Sequence, residues 1–142
     1  DTDNLSKIAF KNEIINSNLM DYKLKILIVE DDDISDRVIT NTLSLFNFEL
    51  LHVKSGLDGI EICKNNPDID LILMDIMLPG MDGYITTQKI REFNKDVIII
   101  AQTVLSQIGD RDKAYEAGCN EHVAKPIDKN KLLELIKKYF LK

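Results

Sequence analysis

LILMD, residues 71–75, is four apolar residues closed by one carboxylate. The run does not alternate, so it reads as a strand covered on both faces, as in a parallel sheet. The same form recurs upstream in KILIVEDD, residues 25–32, where the run ends in Glu30, Asp31 and Asp32, followed by Asp33. It recurs again in EHVAKP, residues 121–126, which ends in Lys125 and Pro126. Burying an unpaired charge costs on the order of several kcal/mol, so charges at the ends of buried strands are poorly explained by packing. Grouped acids hold a hard cation, and a lysine near them holds an anion. The combination suits Mg²⁺ and a phosphoryl group set against Asp75.

Around these runs the chain alternates between two periods. Residues 25–30, 48–53, 70–75, 97–101 and 121–124 read as strands rich in Ile, Val and Leu. Between them, residues 34–46, 57–65, 84–93 and 107–117 have helical periodicity. Near the end, Leu132, Leu135, Ile136, Tyr139 and Phe140 form one apolar stripe. Gly118 follows the fourth helical segment, where a left-handed capping residue is wanted. Repeated strand–helix units imply right-handed crossovers and a doubly wound α/β sandwich with a five-stranded parallel sheet and five helices. In such sheets the functional crevice lies beyond the carboxyl ends of the strands. Glu30 and its acidic neighbours, Asp75, Thr103 and Lys125 all fall on that edge.

Composition narrows the functional classes. The chain has 142 residues, 44% hydrophobic and 30% charged, enough for one core and too apolar for wholesale disorder. Its net charge of −6, with no basic block, argues against direct nucleic-acid binding. No apolar stretch approaches the length of a membrane span and no signal peptide is visible, so no membrane contact and a cytoplasmic location are expected. Cys63 and Cys119 fit no metal-ligand spacing and read as small buried thiols. Nucleotide binding is disfavoured because neither a P-loop nor a GxGxxG pattern is present.

The motifs KILIVEDD (25–32), LMDIMLPGMDG (73–83), IIIAQT (98–103) and AGCNEHVAKP (117–126) resemble the receiver domain of two-component response regulators, over residues 25–142. The resemblance implies a flavodoxin-like three-layer sandwich with strand order 2-1-3-4-5. It implies that Asp75 is the phosphoacceptor, taking a phosphoryl group from a phosphohistidine on a histidine kinase or a histidine phosphotransfer domain. Glu30 and Asp31 would support Mg²⁺ with Asp75, Asp31 being the better direct ligand, and the backbone carbonyl of Met77 would add a further oxygen. Lys125 would pair with a phosphoryl oxygen, its bond to Pro126 being commonly cis in the family. Thr103 would donate its hydroxyl to the phosphoryl group and report phosphorylation to the fourth helix. The responding surface would be helix four, strand five and helix five, and the resemblance also allows a homodimer through helix four and helix five. Asp32 and Asp33 read instead as helix-capping acids, because negative charge is favourable at a helix N-terminus.

Two positions depart from the family pattern. Val104 stands where a small residue is usual. His122 stands at the switch aromatic, so either a weakened or rewired switch or a pH-sensitive one is expected. Met77 and Leu105 are positions where the family tunes autodephosphorylation, and their apolar character favours a long-lived phosphoaspartate.

Residues 1–24 read equally as a short amphipathic helix, with Leu5, Ile8, Ala9, Asn12, Ile15 and Leu19 near helical spacing, or as a linker from an upstream region. With Asp1 in the first position, the chain is expected to be part of something longer. KPI at 125–127 and MDIMLPGMDG at 74–83 resemble the C-terminal receiver of a hybrid sensor histidine kinase. On that reading the domain would be a cytoplasmic part of a membrane-anchored sensor. A stand-alone or DNA-binding regulator is the competing context. Asp75-Ile76-Met77 lacks the second aspartate of an aspartyl-phosphate hydrolase. The remaining alternative is a phosphorylation-independent interaction module on the same fold.

Overall fold

The computed structural model describes residues 19–104 and 109–141. Five strands, β1 (Lys25–Val29), β2 (Glu49–Val53), β3 (Leu71–Asp75), β4 (Ile98–Thr103) and β5 (Glu121–Ala124), form one parallel sheet in the order β2-β1-β3-β4-β5. The connections are α1 (Asp33–Leu43), α2 (Gly56–Asn65), α3 (Gly83–Arg91) and α4 (Asp110–Ala117), and α5 (Lys129–Phe140) closes the fold. Sheet and helices therefore make the expected three layers.

The continuous apolar runs explain the layering, because successive side chains of a strand face opposite sides. Ile26, Ile28, Leu71, Leu73, Ile100 and Val123 pack with Ile39 and Leu43 of α1 and Leu132, Leu133 and Ile136 of α5. Leu27, Val29, Ile72, Met74, Ile99 and Ala101 face the other way, onto Cys63 of α2, Ile90 of α3 and Ala114 of α4. Each fully buried Leu or Ile of these layers contributes about 1.5–3 kcal/mol. The two edge strands are not covered on both faces: in β2 Glu49 and His52 are exposed and the other residues only half-buried, and in β5 Val123 alone is buried.

Helix starts follow from local chemistry. Asp32, Ser55, Asp82 and Asp128 each accept a backbone N–H of the first turn, at α1, α2, α3 and α5. Asp32 thus caps as expected, while Asp33 is the first helical residue and pairs with Lys54. At the far end of α4, Gly118 adopts φ 112°. A Cβ there would lie 2.8 Å from Cγ of Arg91. That arginine donates to the carbonyls of Gly118 and Val97 and to Asn120, tying α3 to the amino ends of β4 and β5.

Several boundaries differ from the sequence reading. β4 runs on to Thr103 instead of stopping at Ala101, because Lys125 N–H donates to the Thr103 carbonyl and prolongs the ladder. α1 ends at Leu43, the N–H of Ser44 closing on Thr40, and Phe46 and Phe48 stack on each other beyond it. Glu30 lies just past β1. In the lead-in segment, Leu19 opens a short 3-10 turn and is fully buried in the α1/α5 layer. The helical reading of residues 1–18, the start of the fourth helix at 107–108 and the role of Leu105 fall outside the described residues. Among the described residues no helix is long and apolar enough to cross a membrane.

Candidate functional site

The polar groups gather at the carboxyl ends of β1, β3, β4 and β5. Each is held by a strand whose apolar residues leave it no choice of depth. Glu30 follows Val29 and Asp75 is the last residue of β3; their side chains are 0% and 3% exposed. Asp31 is exposed beside them. One carboxylate oxygen from each of Glu30, Asp31 and Asp75 can be chosen so that all three lie within 4.8 Å of one another. Such a cluster of hard oxygens suits a cation like Mg²⁺, which takes oxygen ligands and one or two carboxylates.

Lys125 reaches into this cluster. Its Nζ lies 2.6 Å from Glu30 Oε1 and 3.2 Å from Asp75 Oδ1. The Lys125–Pro126 peptide bond is cis. Asp75 Oδ1 also accepts from Met77 N–H at 3.1 Å, and Glu30 Oε2 from Asp32 N–H at 3.2 Å.

The electrostatics follow from burial. Burial and the neighbouring Asp75 carboxylate push the Glu30 carboxyl up to about 7, against the opposing pull of Lys125 and the Asp32 N–H. Burial alone would lower the Lys125 ammonium, but Glu30 and Asp75 hold it above its ordinary value. The lysine is therefore charged across the physiological range, whereas Glu30 exchanges a proton near neutrality.

Thr103 ends β4 on the opposite face of the sheet, and its Oγ1 is buried without a hydrogen-bond partner among the described residues. A cavity of about 450 Å³, lined by Ile76, Met77, Tyr84, Thr103, Val104, Asp110 and Lys113, runs from that hydroxyl toward α4. Val104 is 57% exposed at its mouth. His122 pairs with Ala101 in the ladder and is half-buried, its ring set edge-on to Tyr115 at 6.2 Å. Its Nδ1 has no partner among the described residues. Met77 turns its side chain outward, 72% exposed.

The structure thus brings together Glu30, Asp31, Asp75, Lys125 and the backbone of Met77, with Thr103 on the same edge and His122 further back along β5. Sequence reasoning missed three things here. It did not foresee that Lys125 binds Glu30 more closely than Asp75. It overlooked Gly83, where a Cβ would lie 2.3 Å from the Asp75 carbonyl oxygen, so that only glycine lets α3 pack against the strand end. It also passed over Gln102, wholly buried beside Asp75 in the ladder, with neither side-chain polar atom hydrogen-bonded among the described residues. Each unpaired end of a buried amide costs about 1–3 kcal/mol. The available signal was a glutamine directly after the apolar run IIIA at 98–101.

Known proteins resemble this chain in sequence and fold. Residues 26–137 match the response regulator receiver domain family. The polar-differentiation response regulator DivK of Brucella ovis is 28% identical over 116 residues, covering 80% of this chain and 94% of that protein. Hybrid signal transduction histidine kinase M of Dictyostelium discoideum is 37% identical over 119 residues, 80% of this chain but 5% of that much longer protein. Among solved structures, the receiver domain of sensor histidine kinase PA1611 from Pseudomonas aeruginosa PAO1 has magnesium coordinated in its active-site cleft. It superposes with TM-score 0.74 at 31% identity, covering 83% of this chain and 98% of that one. A chain of the Saccharomyces cerevisiae co-crystal of the histidine phosphotransfer signalling protein Ypd1 with the receiver domain of its downstream response regulator Ssk1 gives TM-score 0.77 at 29% identity, covering 82% and 88%.

Proposed function

The chain belongs to the response regulator receiver domain family, and on that premise we propose that Asp75 accepts a phosphoryl group from a phosphohistidine. As a receiver it takes part in two-component signalling. The observation that carries the finer reading is the buried Asp75 carboxylate, 3.2 Å from the Lys125 ammonium and grouped with two further acids.

Mg²⁺ would be held by Asp31, Asp75 and the Met77 carbonyl, with Glu30 in support, and would neutralise charge on the transferring oxygens. The donor set, three carboxylates within 4.8 Å of each other, fits that ion. A carboxylate oxygen of Asp75 attacks phosphorus; the P–O bond forms as the P–N bond to imidazole breaks, and its electron pair returns to the ring nitrogen. Lys125 offers an N–H to one phosphoryl oxygen, as a flexible point charge does well. Thr103 offers its hydroxyl, which lacks a hydrogen-bond partner among the described residues, to another. That inward pull, acting beside His122, biases the α4–β5–α5 surface between two states.

The donor is a histidine kinase or a histidine phosphotransfer domain, and it docks beside the site. A small groove lined by Ile34, Ser35, Val38, Lys125, Pro126 and Ile127 adjoins the reactive edge. The likeness to the Dictyostelium hybrid kinase supports a receiver carried within a longer kinase chain. The receiver's own catalysis is limited to its phosphorylation and dephosphorylation.

The test is intact mass after incubation with Mg²⁺ and acetyl phosphate, beside Asp75→Ala. One added phosphoryl group, acid-stable, base-labile and absent from the variant, is expected. No adduct from acetyl phosphate or from a phosphohistidine donor would leave the domain as a binding module.

A further inference from the structure

The carboxyl edge carries its polar groups on two faces, and one face is arranged as a row. β3 and β4 pair Asp75 with Gln102, and β4 and β5 pair Gln102 with Val123. Residues paired in a ladder point to the same side, and residues two apart along a strand share a side. Asp75, Gln102 and Lys125 therefore lie on the face covered by α1 and α5, and so does Glu30, two beyond Ile28 of that layer. To reach Glu30 beyond β1, Lys125 crosses from β5 over the ends of β4 and β3. Gln102, paired with both Asp75 and Val123, stands on the strand between the two ends of that crossing.

Gln102 is 0% exposed, and neither its Nε2 nor its Oε1 is hydrogen-bonded among the described residues. The Lys125 ammonium has three N–H donors. Its side-chain acceptors among the described residues are Glu30 Oε1 and Asp75 Oδ1. A methionine would fill the same volume at Gln102 with no polar group to satisfy, so the amide is unfavourable in this state and is accounted for by another.

We propose that Gln102 is a positioning residue for Lys125: its Oε1 accepts from the ammonium as Lys125 turns from Glu30 to a phosphoryl oxygen on Asp75. This rests on Asp75 being the phosphoacceptor. A lysine stem has four rotatable carbons and loses its ion pair when it leaves Glu30. A fixed carbonyl on β4 replaces one acceptor, restricts where the ammonium can go and keeps it over the reacting oxygen. The switch residues Thr103 and His122 lie on the other face, so this device acts on phosphoryl transfer and not on the output surface.

The experiment compares the whole chain with Gln102→Met, and with Gln102→Leu as a second variant should the first fold poorly. Phosphoryl incorporation from acetyl phosphate with Mg²⁺ is followed by intact mass. Order at the Lys125 ammonium is followed by NMR of lysine-¹⁵N protein with Mg²⁺ and trifluoroberyllate. The variants are expected to lose about tenfold in rate, with urea midpoints unchanged or raised and a more mobile Lys125 ammonium. An unchanged rate in a folded variant overturns the proposal. A slower rate with Lys125 equally ordered overturns it too, because the effect would not pass through the lysine. No incorporation by the unsubstituted chain would instead sink the phosphoacceptor reading itself.

Discussion

Lys125 and Glu30 stand 95 residues apart in sequence, yet Nζ and Oε1 are 2.6 Å apart, the shortest link across the reactive edge. The pair spans the sheet from β5 to the end of β1 and draws Lys125 toward Asp75. The ammonium is 17% exposed and the carboxylate 0%. This contact is therefore shielded from solvent, unlike the ion pair of Lys54 with Asp33 at the surface.

Removing one member of a buried pair strands the other. Lys125→Met is expected to destabilise the fold by about 3 kcal/mol at pH 8, less than that at pH 6, where Glu30 takes a proton in place of its partner. Urea denaturation at the two pH values measures this. Equal losses at both would mean that Glu30 does not titrate in that interval.

The same carboxyl sets a pH dependence. Its folded value of about 7 lies above the ordinary 4.5, so the folded state binds the proton more tightly. The stability this contributes is fully present below 4.5 and is lost as pH rises through about 7. In Mg²⁺-free buffer stability should fall between those limits by up to about 3 kcal/mol. Glu30→Gln should flatten the fall, and Mg²⁺ should offset it at high pH by binding the deprotonated site. A level profile for the unsubstituted chain would contradict the assignment.

Thr103→Val removes a buried hydroxyl that has no partner among the described residues. The fold should be as stable as before or up to about 1 kcal/mol more so, since no hydrogen bond is lost. Phosphorylation should persist while the shift of α4 and β5 resonances that accompanies it is lost. A full response in NMR spectra of the phosphorylated variant would remove Thr103 from the switch.

Two glycines close together in sequence should behave differently. At Gly83 an added Cβ would lie 2.3 Å from the Asp75 carbonyl oxygen and 2.7 Å from Ile76 Cα. Gly83→Ala should cost about 2–3 kcal/mol and slow phosphorylation, because the strand end bearing Asp75 must move. Gly80 has φ 76°, and a Cβ added there would meet nothing within 4 Å. Gly80→Ala should therefore cost only the left-handed strain of about 1 kcal/mol. Thermal melts and incorporation rates of the two variants separate the cases.

Much of this molecule was legible in its sequence. Continuous apolar runs gave away strands covered on both faces, and their placement between helical stripes implied the doubly wound sheet. The acids, Thr103 and Lys125 followed from their places at strand ends. Element boundaries were less legible because the Lys125 N–H that extends β4 comes from the residue just past β5, distant in sequence. The composition of β2 and β5 did not by itself reveal that both lie at edges; that followed only from the strand order the resemblance implied. Gln102 was passed over because a polar residue in a run does not announce which face it takes.

What the sequence determined by itself was the order of the elements and the chemistry available at their ends, since both depend on local pattern: period, run length and terminal charge. Which of those charges meet was decided only by the tertiary structure. Parallel packing sets β1, β3, β4 and β5 side by side, so Glu30, Asp75, Gln102 and Lys125 come onto one face. The resulting burial moves the Glu30 carboxyl to about 7 and leaves the Gln102 amide without a partner among the described residues. A pairing over 95 residues and the desolvation that accompanies it are properties of the packed sheet. No stretch of the chain carries them alone.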